Sequence, residues 1–293
     1  MKKVLITGGA GFIAKNLKEQ FSDDFLIDAP KRSELDLLDA EAVSSYVKKG
    51  KFDIVIHAAT YDAAPKDSPK DPSKVLENNL KMFFNIIRCK DHFGKMIFFG
   101  SGAEYNRHKW IPQMSENYFD RYVPDDQYGF SKYIMTKYAL ACDNIINLRL
   151  FAVFGKYEDW RYRTISNYCC KALLNLPIII PQNKRFDFLY VDDLVKIVKW
   201  FINNNCHRKV YNVCSGQVFD FKTIAERVLE ISGKNLGIIV EQESSLEYSG
   251  DNSLLLDEIG DFQFTPLDIA IRSLYEWYQS CSRSLIDKNQ FHY

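Results

Sequence analysis

Short apolar runs that alternate with helix-forming segments dominate the first 215 residues, and this rhythm leaves few folds open to the chain. Strands are expected near residues 3–7, 25–28, 53–57, 95–100, 145–151 and 210–213, with helices near 12–20, 39–48, 73–91, 128–142 and 191–203 between them. Strand, helix and strand in repeated succession build a parallel sheet with right-handed crossovers. The expected fold is therefore α/β, a doubly wound parallel sheet. Segments 156–185 and 216–293 break the rhythm, with Trp160, Tyr162, Leu176-Pro177 and a late Phe264-Thr265-Pro266 before a terminal helix ending near Tyr278, and are expected to form a smaller α+β lobe.

The first strand runs straight into Thr7-Gly8-Gly9-Ala10-Gly11-Phe12-Ile13-Ala14. Glycines there can turn tightly and let backbone N–H groups approach a pyrophosphate at a helix N-terminus, while Ala14 is small enough for helix to pack on strand. The spacing is Gly8-x-x-Gly11-x-x-Ala14 rather than G-x-G-x-x-G, and a plain strand-to-helix turn is the competing reading.

A second motif bears on that choice. In Tyr128-Gly129-Phe130-Ser131-Lys132, a helix would place Tyr128 and Lys132 one turn apart on one face, so that an ammonium beside the phenol favours phenolate. Lys95-Met96-Ile97-Phe98-Phe99-Gly100-Ser101 reads as a buried strand ending in a small hydroxyl residue, which places Ser101 where open α/β sheets bind ligands.

Composition narrows the partners. With 38 basic and 38 acidic side chains in 293 residues there is no global field to hold nucleic acid or an anionic membrane, so an anionic ligand must meet local donors. The apolar run after Met1-Lys2-Lys3 is too short for a signal peptide, no segment approaches the roughly 20 apolar residues of a membrane span, and a cytoplasmic location is expected. Seven cysteines form no C-x-x-C pair, and His57, His92, His108, His207 and His292 show no ligand spacing, so neither a disulfide framework nor a metal is expected. Lys66 to Ser73 reads as an exposed connector.

Together these motifs resemble the extended short-chain dehydrogenase/reductases that act on nucleotide sugars, the NAD-dependent epimerase/dehydratase family. Further matches follow in the family's order: Asp36-Leu37-Leu38-Asp39, His57-Ala58-Ala59, Asn79, Ser101 four residues before Tyr105, Arg149 to Gly155, Phe188-Leu189-Tyr190-Val191-Asp192-Asp193, and Tyr211-Asn212-Val213-Cys214-Ser215-Gly216. The resemblance implies a Rossmann NAD(P)-binding domain of residues 1–155 plus about 186–215, with residues from about 156–185 and 216–293 as a substrate-binding lobe. It implies Ser101, Tyr128 and Lys132 as catalytic residues, Tyr128 and Lys132 also touching cofactor, and Gly8, Gly11, Phe12, Ile13, Asp28, Arg32, Asp36, Leu37, Ala58, Ala59, Asn79 and Phe151 as further cofactor contacts. The implied partner is a nucleotide-diphosphate sugar, touched by Ser101 and Arg185, with no nucleic acid and no membrane. A homodimer is an open expectation.

Two signals compete over the cofactor. Asp28 ends the second strand, about 20 residues after the glycine turn, where a carboxylate accepts bonds from the adenosine ribose and favours NAD. Lys31-Arg32 follow at once, and in compact reductases such as GDP-fucose synthase a basic residue before a segment similar to Glu34-Leu35-Asp36-Leu37-Leu38-Asp39 reaches a 2′-phosphate, which tips the expectation slightly towards NADP(H). By the same resemblance Asp36 contacts the adenine.

Departures from the family narrow the chemistry. Its 4,6-dehydratases carry Asp-Glu after the catalytic hydroxyl residue, where this chain has Gly102-Ala103; Glu104 falls one residue late, and Ala103 stands where GDP-fucose synthase has an epimerising cysteine. Ala152 and Lys156 replace the asparagine and proline of R-x-F-N-V-Y-G-P, and Phe186 stands where R-D-F-I-Y-V-D-D has arginine, with Arg185 one residue earlier. The expected activity is reduction of a 4-keto nucleotide sugar; a 4-epimerase, and a non-catalytic cofactor-sensing module, are the alternatives.

Overall fold

The computed structural model describes residues 1–63, 68–281 and 286–291; Lys66 and Asp67 of the expected connector, and His292, lie outside them. The chain runs β1 (Lys3–Thr7), α1 (Phe12–Phe21), β2 (Leu26–Asp28), α2 (Ala40–Gly50), β3 (Ile54–His57), α3 (Val75–Ile87), β4 (Lys95–Ser101), α4 (Gln127–Leu140) and β5 (Ile145–Leu150). It continues through β6 (Ala152–Phe154), α5 (Thr164–Leu173), β7 (Ile178–Ile180), β8 (Asn183–Tyr190), α6 (Val191–Asn203), β9 (Val210–Val213), β10 (Val218–Asp220) and α7 (Phe221–Ser232). β11 (Ile238–Val240), β12 (Glu243–Tyr248), α8 (Ser253–Ile259) and α9 (Leu267–Ser280) complete it.

Six strands form one parallel sheet in the order β2-β1-β3-β4-β5-β9. Alternation along the strands sends side chains to opposite faces, and both faces are covered. Val4, Ile6, Ile54, Ile56, Ile97 and Phe99 pack with Leu17 and Phe21 of α1 and Leu194 and Val198 of α6. Leu5, Val55, Met96 and Phe98 pack on the other face with Val43 and Val47 of α2, Phe83 and Ile86 of α3, and Met135 of α4. The sheet is thus doubly wound, and its order reverses between β1 and β3, which opens a crevice at their carboxyl ends. Side-chain caps set where helices begin: Asp39 accepts from the N–H groups of Glu41 and Ala42, each at 3.0 Å, and Asp126 accepts from Gly129 N–H at 2.8 Å.

Beyond β5 the strands regroup. β8 pairs parallel with β6 and β12 and antiparallel with β10, and β7 pairs parallel with β11. α5, α7 and α9 share a second core around Ile165, Tyr168, Cys169, Ile224, Val228 and Leu274. Two details cut across a simple division of the chain: β8 joins this second group rather than the six-stranded sheet, and Leu255 of α8 is buried in the core beneath the six-stranded sheet.

Candidate active site

The glycine turn lies at the reversal of the sheet. Gly8 has φ +72°, and a Cβ there would stand 2.9 Å from Ala59 Cα, so only glycine lets the β1 and β3 loops approach. Gly9, which the sequence did not single out, is more tightly held: a Cβ would come within 2.2 Å of the Ala29 carbonyl oxygen. Gly11 donates its N–H to Gly8 O at 2.7 Å and begins α1 with no side-chain cap and no acidic residue in the first turn. The amides of Phe12 and Ile13 therefore belong to an N-terminus with the charge and the open donors that a pyrophosphate needs, at the crevice where the fold binds ligands. The residues fit a dinucleotide.

Neighbouring side chains brace this turn. The Thr7 hydroxyl pairs with His57 Nδ1 at 3.0 Å and accepts from Ala59 N–H at 3.2 Å. Burial brings the His57 imidazolium down to about 3, so the ring is neutral and structural. Asn79 accepts from Tyr61 N–H at 2.7 Å and donates to Tyr61 O at 3.0 Å, which pins the loop after Ala58-Ala59. Around the carboxyl end of β2, Asp28 accepts from the Tyr46 hydroxyl at 2.8 Å, Arg32 faces Asp36 at 3.5 Å on the surface, and Leu37 is buried. Among the described residues no group of three or more His, Cys, Asp or Glu could hold a metal ion.

The second motif lies beside Ser101. α4 starts against the turn after β4 so closely that a Cβ at Gly129 would lie 2.4 Å from Ala103 O, and this brings Tyr128 beside Ser101. Lys132 is buried, donates to Phe99 O at 2.8 Å, and stands 5.8 Å from the Tyr128 ring centroid. Burial pushes the Tyr128 phenol up and Asp62 adds to this, while the Ser101 hydroxyl and the guanidinium groups of Arg163 and Arg107 pull it down. The Lys132 ammonium is held by a main-chain carbonyl of β4. Burial also brings Lys132 down to about 8, opposed by Glu104 and Asp62.

Several neighbours escaped the sequence. Tyr248 of β12 brings a second phenol to Ser101: a Cβ at Gly102 would lie 2.5 Å from its hydroxyl, and its ring stacks on Trp110 at 4.4 Å and meets Phe151 at 5.0 Å and Phe186 at 5.2 Å. Phe151, expected as a cofactor contact, is buried in this packing. Arg185 is not brought to the group: alternation along β8 sets it on the face opposite to Phe186, half-exposed and 3.5 Å from Glu247. Arg163 lies 3.8 Å from Asp62 beside the site. These residues lie far apart in sequence and share no periodic pattern, so only the departure of Phe186 from the family motif could have flagged the aromatic wall.

Glu104 is fully buried and paired with Arg149 at 2.8 Å, which removes it as a dehydration acid. No helix among the described residues is long and apolar enough to cross a membrane, and the cysteines are free thiols, five of them buried.

Known proteins bear directly on this arrangement. Residues 4–214 match the model of the NAD dependent epimerase/dehydratase family. The chain is 26% identical to an ADP-L-glycero-D-manno-heptose-6-epimerase of Brachyspira hyodysenteriae over 78% of this chain and 80% of that protein. It is also 26% identical to a GDP-6-deoxy-D-talose 4-dehydrogenase of Aggregatibacter actinomycetemcomitans, over 94% and 97%. In fold it superposes on the GDP-mannoheptose C4 reductase of Campylobacter jejuni, solved with NADP bound, with a TM-score of 0.83 and 20% identity over 95% of this chain and 98% of that one. With the glycine turn at the sheet reversal and Ser101, Tyr128 and Lys132 gathered at the end of β4, the chain belongs to the NAD dependent epimerase/dehydratase family, as an NAD(P)-dependent enzyme of the extended short-chain dehydrogenase/reductases.

Proposed function

We propose that the protein reduces the C4 carbonyl of a nucleotide-linked 4-ketohexose with NADP(H). The observation that carries this reading is a hydroxyl and a protonated phenol at one strand end, with the carboxyl group of the same turn, Glu104, locked by Arg149. Ser101 and Tyr128 hold the carbonyl oxygen between them, and Tyr128, kept neutral by burial, donates the proton that the new alkoxide needs. Lys132, fixed on Phe99 O, holds the nicotinamide ribose, and the α1 amides of Phe12 and Ile13 hold the pyrophosphate. Bound nicotinamide supplies the hydride. Residues 156–185 and 216–293 are assigned to the sugar nucleotide, with Tyr248 as part of the wall beside Ser101. A relative named as a GDP-sugar 4-dehydrogenase supports C4 as the reacting position.

The compact segment between β2 and α2 supports a reductase over an epimerase. It makes a turn rather than a further strand, so it covers the adenosine end only lightly and lets the nicotinamide cofactor exchange each cycle. Purified protein is expected to be largely free of cofactor. A panel of nucleotide sugars and their 4-keto forms, with GDP-linked 4-keto-6-deoxyhexoses first, is expected to show one NADPH consumed per sugar reduced. Tightly retained NAD⁺, with inversion of a nucleotide sugar and no net cofactor consumption, would overturn the reductase in favour of the epimerase.

A further inference from the structure

The turn that carries Ser101 rests on a buried ion pair that the proposed chemistry does not use directly. Glu104 and Arg149 are both fully buried. Glu104 Oε1 accepts the Ser101 N–H at 3.0 Å, while the Ser101 hydroxyl accepts from Ala103 N–H at 3.2 Å, a reciprocal cap that fixes both the backbone and the side chain of Ser101. Arg149 donates Nε to Glu104 Oε2 at 2.8 Å and Nη1 to the Tyr105 hydroxyl at 2.6 Å and Asn212 Oδ1 at 3.1 Å, so the pair ties β4 to β5 and β9. Asn147 Nδ2 completes the carboxylate's partners, at 3.2 Å and 3.3 Å.

The same carboxylate lies against the strand end that holds Lys132. A Cβ at Gly100 would stand 2.2 Å from Glu104 Oε1, so Gly100 is what lets the carboxylate lie alongside the backbone next to Phe99, whose carbonyl accepts from Lys132 Nζ. A buried ammonium on a neutral carbonyl needs a nearby negative charge to stay protonated. Glu104 and Asp62 supply it, facing the neutral His57 ring and the neutral Tyr128 phenol, with Arg149 as the opposing cation.

We propose that Glu104, locked by Arg149, is a positioning residue that sets the Ser101 hydroxyl and provides the buried counter-charge of the Lys132 ammonium. Removing an isolated partner of a buried pair is costly, whereas replacing both by apolar groups of similar volume is often tolerated. This separates stability from function. The proposal rests on the reading of Ser101, Tyr128 and Lys132 as the catalytic group, and the test keeps the two apart.

Protein labelled with [13Cε]lysine, with Lys132→Met for assignment, reports the Lys132 titration by NMR without substrate. In Glu104→Gln the midpoint is expected to move to lower pH by about 0.5–1 unit. The double variant Glu104→Val/Arg149→Met is expected to recover most of the thermal stability lost by Glu104→Gln, to return the Lys132 midpoint towards the wild-type value because the opposing Arg149 cation leaves with the carboxylate, and to lower kcat at least tenfold with KM for the sugar nucleotide little changed. An unmoved midpoint in Glu104→Gln, or wild-type kcat in the double variant, would overturn the proposal. Failure of both variants to fold would overturn it too, since the pair would then be a requirement of the core. Tyr128→Phe serves as the control: if it retains turnover, the catalytic reading falls, and if it is inactive while the double variant is normal, only the role of Glu104 falls.

Discussion

Replacing Arg32 by alanine tests the cofactor preference where sequence signals conflict. Arg32 is 71% exposed in its side chain and its partner Asp36 44%, at 3.5 Å. Such an exposed pair contributes at most about 1 kcal/mol to folding, so Arg32→Ala should shift Tm by no more than about 2–4 °C and leave the turn in place. A guanidinium meeting a 2′-phosphate forms a charge-assisted hydrogen bond of about 1.5–3 kcal/mol, which corresponds to a Kd for NADPH weakened by about 10- to 150-fold. NADH lacks that phosphate and should lose less than about twofold. Fluorescence titration of both cofactors, at low and raised salt, measures the difference, and the NADPH loss should shrink at raised salt because the contact is exposed. Equal losses for both cofactors would show that Arg32 supports the turn instead. No change in either would refute the 2′-phosphate contact and return the preference to Asp28, whose carboxylate accepts from the Tyr46 hydroxyl at 2.8 Å.

Tyr128→Phe should lower kcat at least about a hundredfold while cofactor affinity, followed by titration, changes little, because the phenol is the acid and not the anchor. Glu158 is buried, accepts from the Ser166 hydroxyl at 2.7 Å, and is pushed up to about 7 by burial. Its folded-state value lies above the ordinary 4.5, so its contribution is intact at pH 4 and is lost as pH rises through about 7. Glu158→Gln, which keeps an acceptor for Ser166, should therefore raise Tm at pH 8 more than at pH 5, and an equal change at both values would refute the assignment. Gly8→Ala should destabilise the fold by about 1–2 kcal/mol through its positive φ alone, read by denaturant unfolding, with a further loss of cofactor binding as the β1 and β3 loops are forced apart.

Local signals carried the sheet, its helices, and the two motifs. The six strands of the main sheet, the glycine turn before α1, and the Tyr128–Lys132 spacing on α4 each depend on residues within one or two turns of one another, where periodicity and backbone preference act directly. The surroundings of Ser101 depend on register between distant segments. β4 presents the Phe99 carbonyl to Lys132, a partner for the ammonium that helix spacing did not reveal. β5 presents Arg149 to Glu104, and β12 presents Tyr248 to Ser101, while one step of alternation along β8 puts Phe186 against Tyr248 and Arg185 on the other face. Sequence alone placed a glycine turn and the residues Ser101, Tyr128 and Lys132 on one α/β sheet. Which charges and rings surround that group was decided only by tertiary packing, because buried pairing follows the distance between strands and not the distance along the chain.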